Sequence, residues 1–415
     1  MKRFIGIGWA SRLVSVALAL VNTRLLVDIA GLQGLAAQAV IASMAPWAML
    51  LNLGLPASTQ NLIGDWRARG RALAPLKSTA ARLALAALLV FVPVALLAAL
   101  AMKRLLLADF PAVSTWSVAV ACLCFLVTAA SSLLTSMLYA EHRVIWPNLA
   151  PGVASIVLCG ALVAIRSAHL GNVDVAIAIY FVPSALLAFA SFRLLELDLT
   201  LDFDRECAHA LWANARGFLL VSFLGTATLS VDYIILSRIL THEDLAAYNL
   251  SGRLFLVIPV IHAVLLAAAW TPIGDLYAKK DLRATRRTIW RVVLAGLTLA
   301  LASGASTVVF APWLLTLLSG QAVTHTALST MLLWWAYVTM RAWSDTFYTV
   351  LQSFGLTTAL RNYLFVQAPL SVGLQWLLGS LYGGQGVLVA IILSFALTCG
   401  WYLPWIALRA TTDPT

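Results

Sequence analysis

The segment Asn61 to Leu73 reads N-L-I-G-D-W-R-A-R-G-R-A-L, and Thr271 to Thr285 reads T-P-I-G-D-L-Y-A-K-K-D-L-R-A-T. In both, Ile-Gly-Asp runs into a burst of positive charge. Other echoes keep the same order. T-R-L-L at Thr23 to Leu26 returns as S-R-I-L at Ser237 to Leu240, and G-L-A-A-Q at Gly34 to Gln38 returns as D-L-A-A-Y at Asp244 to Tyr248. Arg82 is matched by Arg291 and Asn148 by Asn362, so the offsets stay between 209 and 214. Five matches in one order read as two homologous halves.

The composition says which solvent these halves meet. Of 415 residues, 62% are hydrophobic and 11% charged, against about 45–50% and about 25% in soluble domains. Apolar runs of about 20 residues are long enough to cross a hydrocarbon layer as helices. Backbone groups have no water partner there, and no alternating strands offer a barrel, which leaves helices. Twelve spans are predicted at 5–27, 34–56, 81–101, 115–138, 147–166, 175–195, 216–238, 247–270, 291–311, 327–350, 362–382 and 385–408. The fold class expected is an all-α polytopic membrane protein in two parallel six-helix lobes. The boundaries drawn are 1–197 for the N-terminal lobe, 198–212 for a cytoplasmic linker and 213–415 for the C-terminal lobe.

Lys and Arg set the orientation. With the N-terminus cytoplasmic, about 19 of the 27 basic residues fall on the inner side. Both termini are then cytoplasmic, and the net charge of +10 follows mostly from topology rather than from nucleic-acid binding. Arg12 lies inside the first apolar run and no small-x-small signal follows it, so that run reads as a retained span rather than a cleaved leader. The five Cys and six His show no disulfide or ligand spacing, and no metal or cofactor is expected.

The inward faces are legible in polar stripes. Ser11, Ser15 and Asn22 share one face of the first span, and Thr226, Ser230, Tyr233 and Ser237 share one face of the seventh. Such stripes line a wet cavity or pack helices through Ser and Thr. Charge inside spans is more informative, because Arg or Asp at mid-membrane costs about 2.5–3.5 kcal/mol even on generous scales. Arg12 sits low on span 1, and Arg341 is at similar depth on span 10 with Asp345 one turn away. Asp232 and Arg253 fall in the outer third of spans 7 and 8, and Arg24 stands at the outer end of span 1. The arginines form a ladder suited to an anionic head group, which guanidinium grips through paired hydrogen bonds. The competing reading makes Arg341 with Asp345, and Arg253 with Asp232, structural ion pairs, and lets Arg12 and Arg24 snorkel.

Enzyme signatures are missing. There is no G-x-x-x-x-G-K-[ST] for ATP, no G-x-S-x-G and no H-E-x-x-H. Asp202 to Asp204 spells D-F-D, a three-letter glycosyltransferase-like match within the short acidic stretch between the halves. The chain is therefore read as a non-enzyme.

At this point the residues resemble a family: the Wzx-type O-antigen and polysaccharide flippases of the multidrug/oligosaccharidyl-lipid/polysaccharide exporter superfamily. The resemblance rests on N-T-R-L-L closing span 1, G-L-A-A opening span 2, N-L-G-L-P-A-S-T-Q-N-L-I after it and the basic inner loop. It implies a V-shaped pair of lobes around a cationic cavity in the bacterial cytoplasmic membrane. The cargo implied is an undecaprenyl-pyrophosphate-linked oligosaccharide repeat unit, moved from inner to outer leaflet by alternating access with its polyprenyl tail in membrane lipid. Arg12, Arg24, Arg253 and Arg341, with Ser15, Asn22 and Tyr233, would contact pyrophosphate or sugar. Asp232 and Asp345 would couple to protons or sodium, and a polysaccharide polymerase or chain-length machinery would be a partner. The nearest alternatives are a cation-coupled multidrug exporter of the same superfamily and a lipid II flippase; a membrane-embedded glycosyltransferase lacks its constellation.

Overall fold

The computed structural model describes residues 2–141, 143, 145–169, 171–195, 203–319 and 326–412. Within them the side chains of 2–9, 12, 61, 68, 267, 271, 275, 278 and 357 lie outside the description, Arg12 and Asp275 among these. Among the described residues every regular element is helical. The chain divides into two compact units, Met1–Thr226 and Ala227–Thr415.

The first unit contains α1 (Lys2–Ser43), α2 (Ala45–Ala48), α3 (Leu55–Ala68), α4 (Ala74–Leu105), α5 (Thr115–Ala140), α6 (Ile145–Ser167), α7 (Val173–Leu194) and most of α8 (Arg205–Leu229). A 3-10 turn, Met49–Asn52, joins α2 to α3. α5 packs on α4 and α7, and α1 packs along α6. Leu76, Ala80, Leu133, Met137 and Leu211 meet in a buried core, against which the partly buried Trp66, Trp146 and Phe192 pack. One carboxylate ties two helix starts together. Asp174, in the first turn of α7, accepts from Ser114 N and Ser117 Oγ at 2.7 Å each, which satisfies donors left open at the start of α5.

The second unit holds the end of α8 and then α9 (Asp232–Ile239), α10 (His242–Phe255), α11 (Val257–Ala278), α12 (Leu282–Ser319), α13 (Leu328–Ser353), α14 (Thr357–Leu397) and α15 (Cys399–Arg409). α13 packs against α11, α12, α14 and α15.

Among the described residues, nine helical stretches are long and apolar enough to cross a membrane. Two of them, 40 and 52 residues long, each contain two of the expected spans. α1 turns at Gly31 (φ 67, ψ −174) and α14 at Gly383 (φ 59, ψ −140), conformations that a Cβ disfavours. The expected span at 327–350 is α13, which carries Arg341, Asp345 and three Trp and is less apolar than the others. The twelve expected spans therefore fall on helical stretches, several with an internal break, as at Leu53–Gly54 and Ser230–Val231. Residues 205–212 of the expected linker open α8, and 198–202 lie outside the described residues.

The N-L-G-L-P motif breaks its span. Asn52 Oδ1 accepts from Gly54 N at 2.9 Å, Leu53 and Gly54 take left-handed φ of 55 and 73, and Pro56 sits in the first turn of α3, where its missing N–H costs nothing. Only glycine fits at 54, since a Cβ there would stand 2.4 Å from Ala215 O.

The repeated Ile-Gly-Asp also has a structural meaning. Five residues after each Asp, the chain turns left-handed, at Gly70 (φ 67) and Lys280 (φ 57). In both copies the next N–H reaches back to the residue following the Asp: Arg71 N to Trp66 O at 2.9 Å and Asp281 N to Leu276 O at 3.1 Å. This is the six-to-one closure that ends a helix by satisfying its last carbonyls. The motif is thus a helix stop written twice, leading into a basic loop each time.

Candidate functional site

In the second unit the polar residues of α9, α10 and α13 meet in a buried seam. Tyr248 Oη donates to Asp232 Oδ2 at 3.3 Å. Asn249 Nδ2 donates to Tyr233 Oη at 2.8 Å, and Arg253 Nε donates to Asn249 Oδ1 at 2.8 Å. The spacing of Asn249 and Arg253 is one helical turn, so α10 itself aligns them. Asp232 and Arg253, expected as a direct ion pair in one sequence reading, are joined to the seam through Tyr248 and through Asn249 with Tyr233, respectively.

Rings continue the seam toward α13. Tyr233 lies edge-on to Tyr248 at 5.7 Å, Tyr248 meets Trp334 at 5.1 Å and Trp334 lies edge-on to Tyr337 at 5.6 Å. Gly252 makes room for this, as a Cβ there would stand 3.0 Å from the Trp334 ring. At the end of the row, Arg341 Nη1 donates to Tyr337 Oη at 3.1 Å, while Nε and Nη2 grip the Asp345 carboxylate at 3.1–3.2 and 3.0 Å. The Arg341 and Asp345 side chains remain 20% and 31% exposed, so this end of the seam is open. The guanidinium is thus held by a phenol and a carboxylate, with its donors oriented and part of its surface accessible.

In the first unit Arg24 and Asp28 pair one turn apart on α1, at 2.9 Å, and Arg166 of α6 takes the other oxygen of Asp28 at 2.8 Å. Two guanidiniums on one carboxylate leave one net positive charge at this end of α1. The polar stripe of α1 meets α6: Ser11 Oγ donates to Asn148 O at 2.7 Å, Ser15 Oγ to Ser11 O at 2.8 Å and Asn22 Nδ2 to Ser155 O at 3.2 Å. A Cβ at Gly152 would stand 2.8 Å from Ser11 Oγ, so the two helices approach closely at that point. Ser11 thus bonds across to α6, while Ser15 bonds back along α1. The side chain of Arg12 lies outside the described residues.

Sequence reasoning did not pick out Asp28, Tyr248, Asn249, Trp334 and Tyr337. Asp28 and Tyr337 each stand one turn from an arginine that was picked out, a signal that was available. Asn249, one turn before Arg253, carried the same signal; Trp334 carried none. The buried His262, within 3.3 Å of Thr346 Oγ1, was one of six scattered His in the sequence.

Asp204, of the D-F-D triplet, caps α8. Its Oδ1 accepts from Glu206 N at 2.8 Å and Cys207 N at 3.2 Å, and its Oδ2 accepts from the Cys207 thiol at 3.0 Å. Those bonds hold its carboxyl below the usual range, the thiol contributing most. Asp202 lies outside the described residues, and among the described residues no three His, Cys, Asp or Glu group as a metal site.

This fold and seam define a class: a polytopic membrane transporter. Residues 218–377 match the MatE family. Solved structures confirm the fold. The chain is similar to a MATE transporter in the straight conformation (TM-score 0.71, 16% identity, 99% of this chain and 95% of that one). It is also similar to an exporter-superfamily transporter from Pyrococcus furiosus whose binding pocket has reversed polarity (TM-score 0.67, 14% identity, 100% and 97%). Among curated proteins it is 28% identical to one from Yersinia pseudotuberculosis, provisionally named an O-antigen export protein, over 98% of this chain and 95% of that one. It is 24% identical to one from Salmonella typhi, provisionally named an O-antigen transporter, over 95% and 93%.

Proposed function

We propose that this protein is a flippase of lipid-linked glycans. It moves undecaprenyl-pyrophosphate-linked repeat units of O-antigen or another surface polysaccharide from the cytoplasmic to the periplasmic leaflet by alternating access, with both termini cytoplasmic. The observation that carries the reading is Arg341, a guanidinium held by Tyr337 and Asp345 within a predicted span, in a chain similar over nearly its whole length to O-antigen exporters.

The chemistry follows from the charges. An arginine presents paired donors that match phosphate oxygens. Without cargo, Asp345 neutralises Arg341, which lowers the cost of placing the charge in the membrane. A proton or sodium ion on Asp345 weakens that pair and hands the guanidinium to the pyrophosphate. Asp232 is the second candidate for ion coupling. Arg24 and Arg253 serve as further contacts for pyrophosphate or sugar, and a polysaccharide polymerase is a natural partner downstream.

The test is lipid extraction and mass spectrometry from cells lacking the gene, complemented with wild type or with Arg341→Ala. Accumulation of one lipid-linked oligosaccharide, relieved by wild type only, supports flipping and names the cargo. If no lipid-linked sugar accumulates and drug susceptibility changes instead, the multidrug exporter reading replaces it.

A further inference from the structure

The repeated basic loop is used differently in the two halves. In the first, Arg67 Nη1 donates to Ala140 O at 2.7 Å, Arg69 pairs with Asp65 at 2.8 Å and Arg71 lies over the Trp66 ring at 5.6 Å, while Lys77 and Arg143 share Glu141. In the second, Lys279 and Lys280 lead into Arg283, Arg286, Arg287 and Arg291 of α12, and all six are exposed. Among the described residues none of those four arginines has an ion-pair partner. The nearby Asp281 is turned to another task, since its Oδ1 accepts from Ala284 N at 3.0 Å and caps the start of α12.

α12 turns these arginines away from its own unit. Thr285, Ile289, Val292, Val293 and Gly296 are buried where α12 packs on α11 and α13. The helical repeat puts 283, 286, 287 and 291 on the opposite side. All the charge of α12 is gathered at this end, because Val292 to Ser319 contains no charged residue. At about 1.5 Å per residue that uncharged part alone exceeds a hydrocarbon core of about 30 Å. The arginines therefore stand beyond the edge of the core, in the layer where head-group phosphates lie. They also stand at the positive end of the helix dipole with no acidic residue in the first turn, a placement that disfavours cations and that an outside anion relieves.

We propose that Arg283, Arg286, Arg287 and Arg291 form a docking surface for the head groups of anionic phospholipids at the start of α12. Guanidinium matches phosphate oxygens through paired hydrogen bonds, and a group of four to eight basic residues flanking a membrane helix is the charge density that anionic head groups answer. The occupant is a resident phospholipid rather than cargo, because the arginines face away from the helices that α12 packs against and toward the surrounding leaflet. The equivalent loop of the first half, whose charges its own chain already holds, takes no such part. The surface is separate from Arg341, and the inference does not rest on the lipid-linked reading.

The experiment uses the full chain in phosphatidylcholine vesicles containing phosphatidylglycerol with a photoreactive head group, photoreactive phosphatidylcholine as the second arm, and adduct mapping by peptide mass spectrometry. The expected result is phosphatidylglycerol adducts on the peptides bearing Arg283 to Arg291, in excess over those on the peptides bearing Arg67 to Lys77. Unlabelled phosphatidylglycerol should displace them. Arg283→Gln, Arg286→Gln and Arg287→Gln combined should lower them at least about tenfold, since one arginine near an anionic surface changes affinity roughly fivefold. Where that variant does not fold, salt replaces it: wild-type labelling should fall between about 0.1 and 1 M, as the screening length drops from about 10 to about 3 Å. Equal labelling of the α12 start by the two lipids overturns the proposal and turns the search to an acidic protein as the occupant. Equal labelling of the two basic loops by phosphatidylglycerol overturns it as well, because the contrast between the halves would then have no consequence. Cargo takes no part in the measurement, so the flippase reading stands under every outcome.

Discussion

Arg341 Nη2 stands 3.0 Å from Asp345 Oδ2, one turn further along α13, while its Nη1 holds Tyr337 Oη, one turn earlier, at 3.1 Å. The helix repeat places all three on one face, so the arginine is aimed before any cargo arrives. Removing it should lower transport at least about tenfold, since hydrogen bonds to charged groups contribute about 1.5–3 kcal/mol. Arg341→Lys should restore little, because an ammonium cannot keep the fork of donors. Asp345→Asn separates two roles. If Asp345 couples an ion, the variant should still bind lipid-linked glycan but lose its dependence on the proton or sodium gradient in vesicle transport. Gradient dependence unchanged in both Asp345→Asn and Asp232→Asn would remove ion coupling from both carboxylates.

Arg24 calls for a different comparison, because Asp28 is shared with Arg166. The pair is partly exposed, and such pairs contribute about 0.2–1 kcal/mol to stability. Neither Arg24→Ala nor Asp28→Asn should therefore unfold the protein. If Arg24 meets the cargo, Arg24→Ala should lower complementation of a deletion strain about tenfold. Asp28→Asn should leave transport intact, since it only frees the guanidinium. Equal losses in both variants would make the triad a scaffold joining α1 to α6, and Arg24 would leave the list of cargo contacts.

Asp204 tests the reading against enzymatic glycosyl transfer. It caps α8 and accepts three hydrogen bonds, and Asn is as good a cap as Asp. Asp204→Asn should keep both melting temperature and glycan export near wild type. Asp204→Ala should lower the melting temperature and leave export per folded molecule unchanged. Because its partners hold the Asp204 carboxyl low, this cap contributes fully above the ordinary carboxylate range and is lost as pH falls through its lowered value. The melting difference between wild type and Asp204→Ala should accordingly shrink in acid. Loss of export in a well-folded Asp204→Asn protein would reopen the catalytic reading of D-F-D.

The parts legible in the sequence are those written in periodicity and charge. Twelve apolar runs gave the helices, and the Ile-Gly-Asp echo marked two helix stops that share a closing hydrogen bond at Trp66 and Leu276. The spacing of Arg341 and Asp345 gave their pairing directly. Tertiary partners were hidden. Asp232 reaches Tyr248 and Tyr233 reaches Asn249 because α9 and α10 fold against each other, and no local spacing reports that. The kinks were also hidden: a glycine at 31 or 383 reads as one more small residue in an apolar run until its φ is known.

Gly31 provides a stability test independent of cargo. Its φ of 67 and ψ of −174 fall in a region that essentially only glycine occupies. A Cβ added there would meet nothing within 4 Å, so crowding contributes nothing and the backbone alone sets the cost. Gly31→Ala should destabilise the protein by about 1–3 kcal/mol or force α1 to straighten. Gly160 of α6 is the control, because it also has open space but an ordinary helical backbone, where Ala is favoured over Gly by about 0.5–1 kcal/mol. Thermal unfolding in detergent micelles should therefore shift down for Gly31→Ala and up or not at all for Gly160→Ala. If Gly31→Ala melts with wild type and exports normally, the turn at Gly31 is not needed to separate the first two spans, and a straight α1 would have to do the same work.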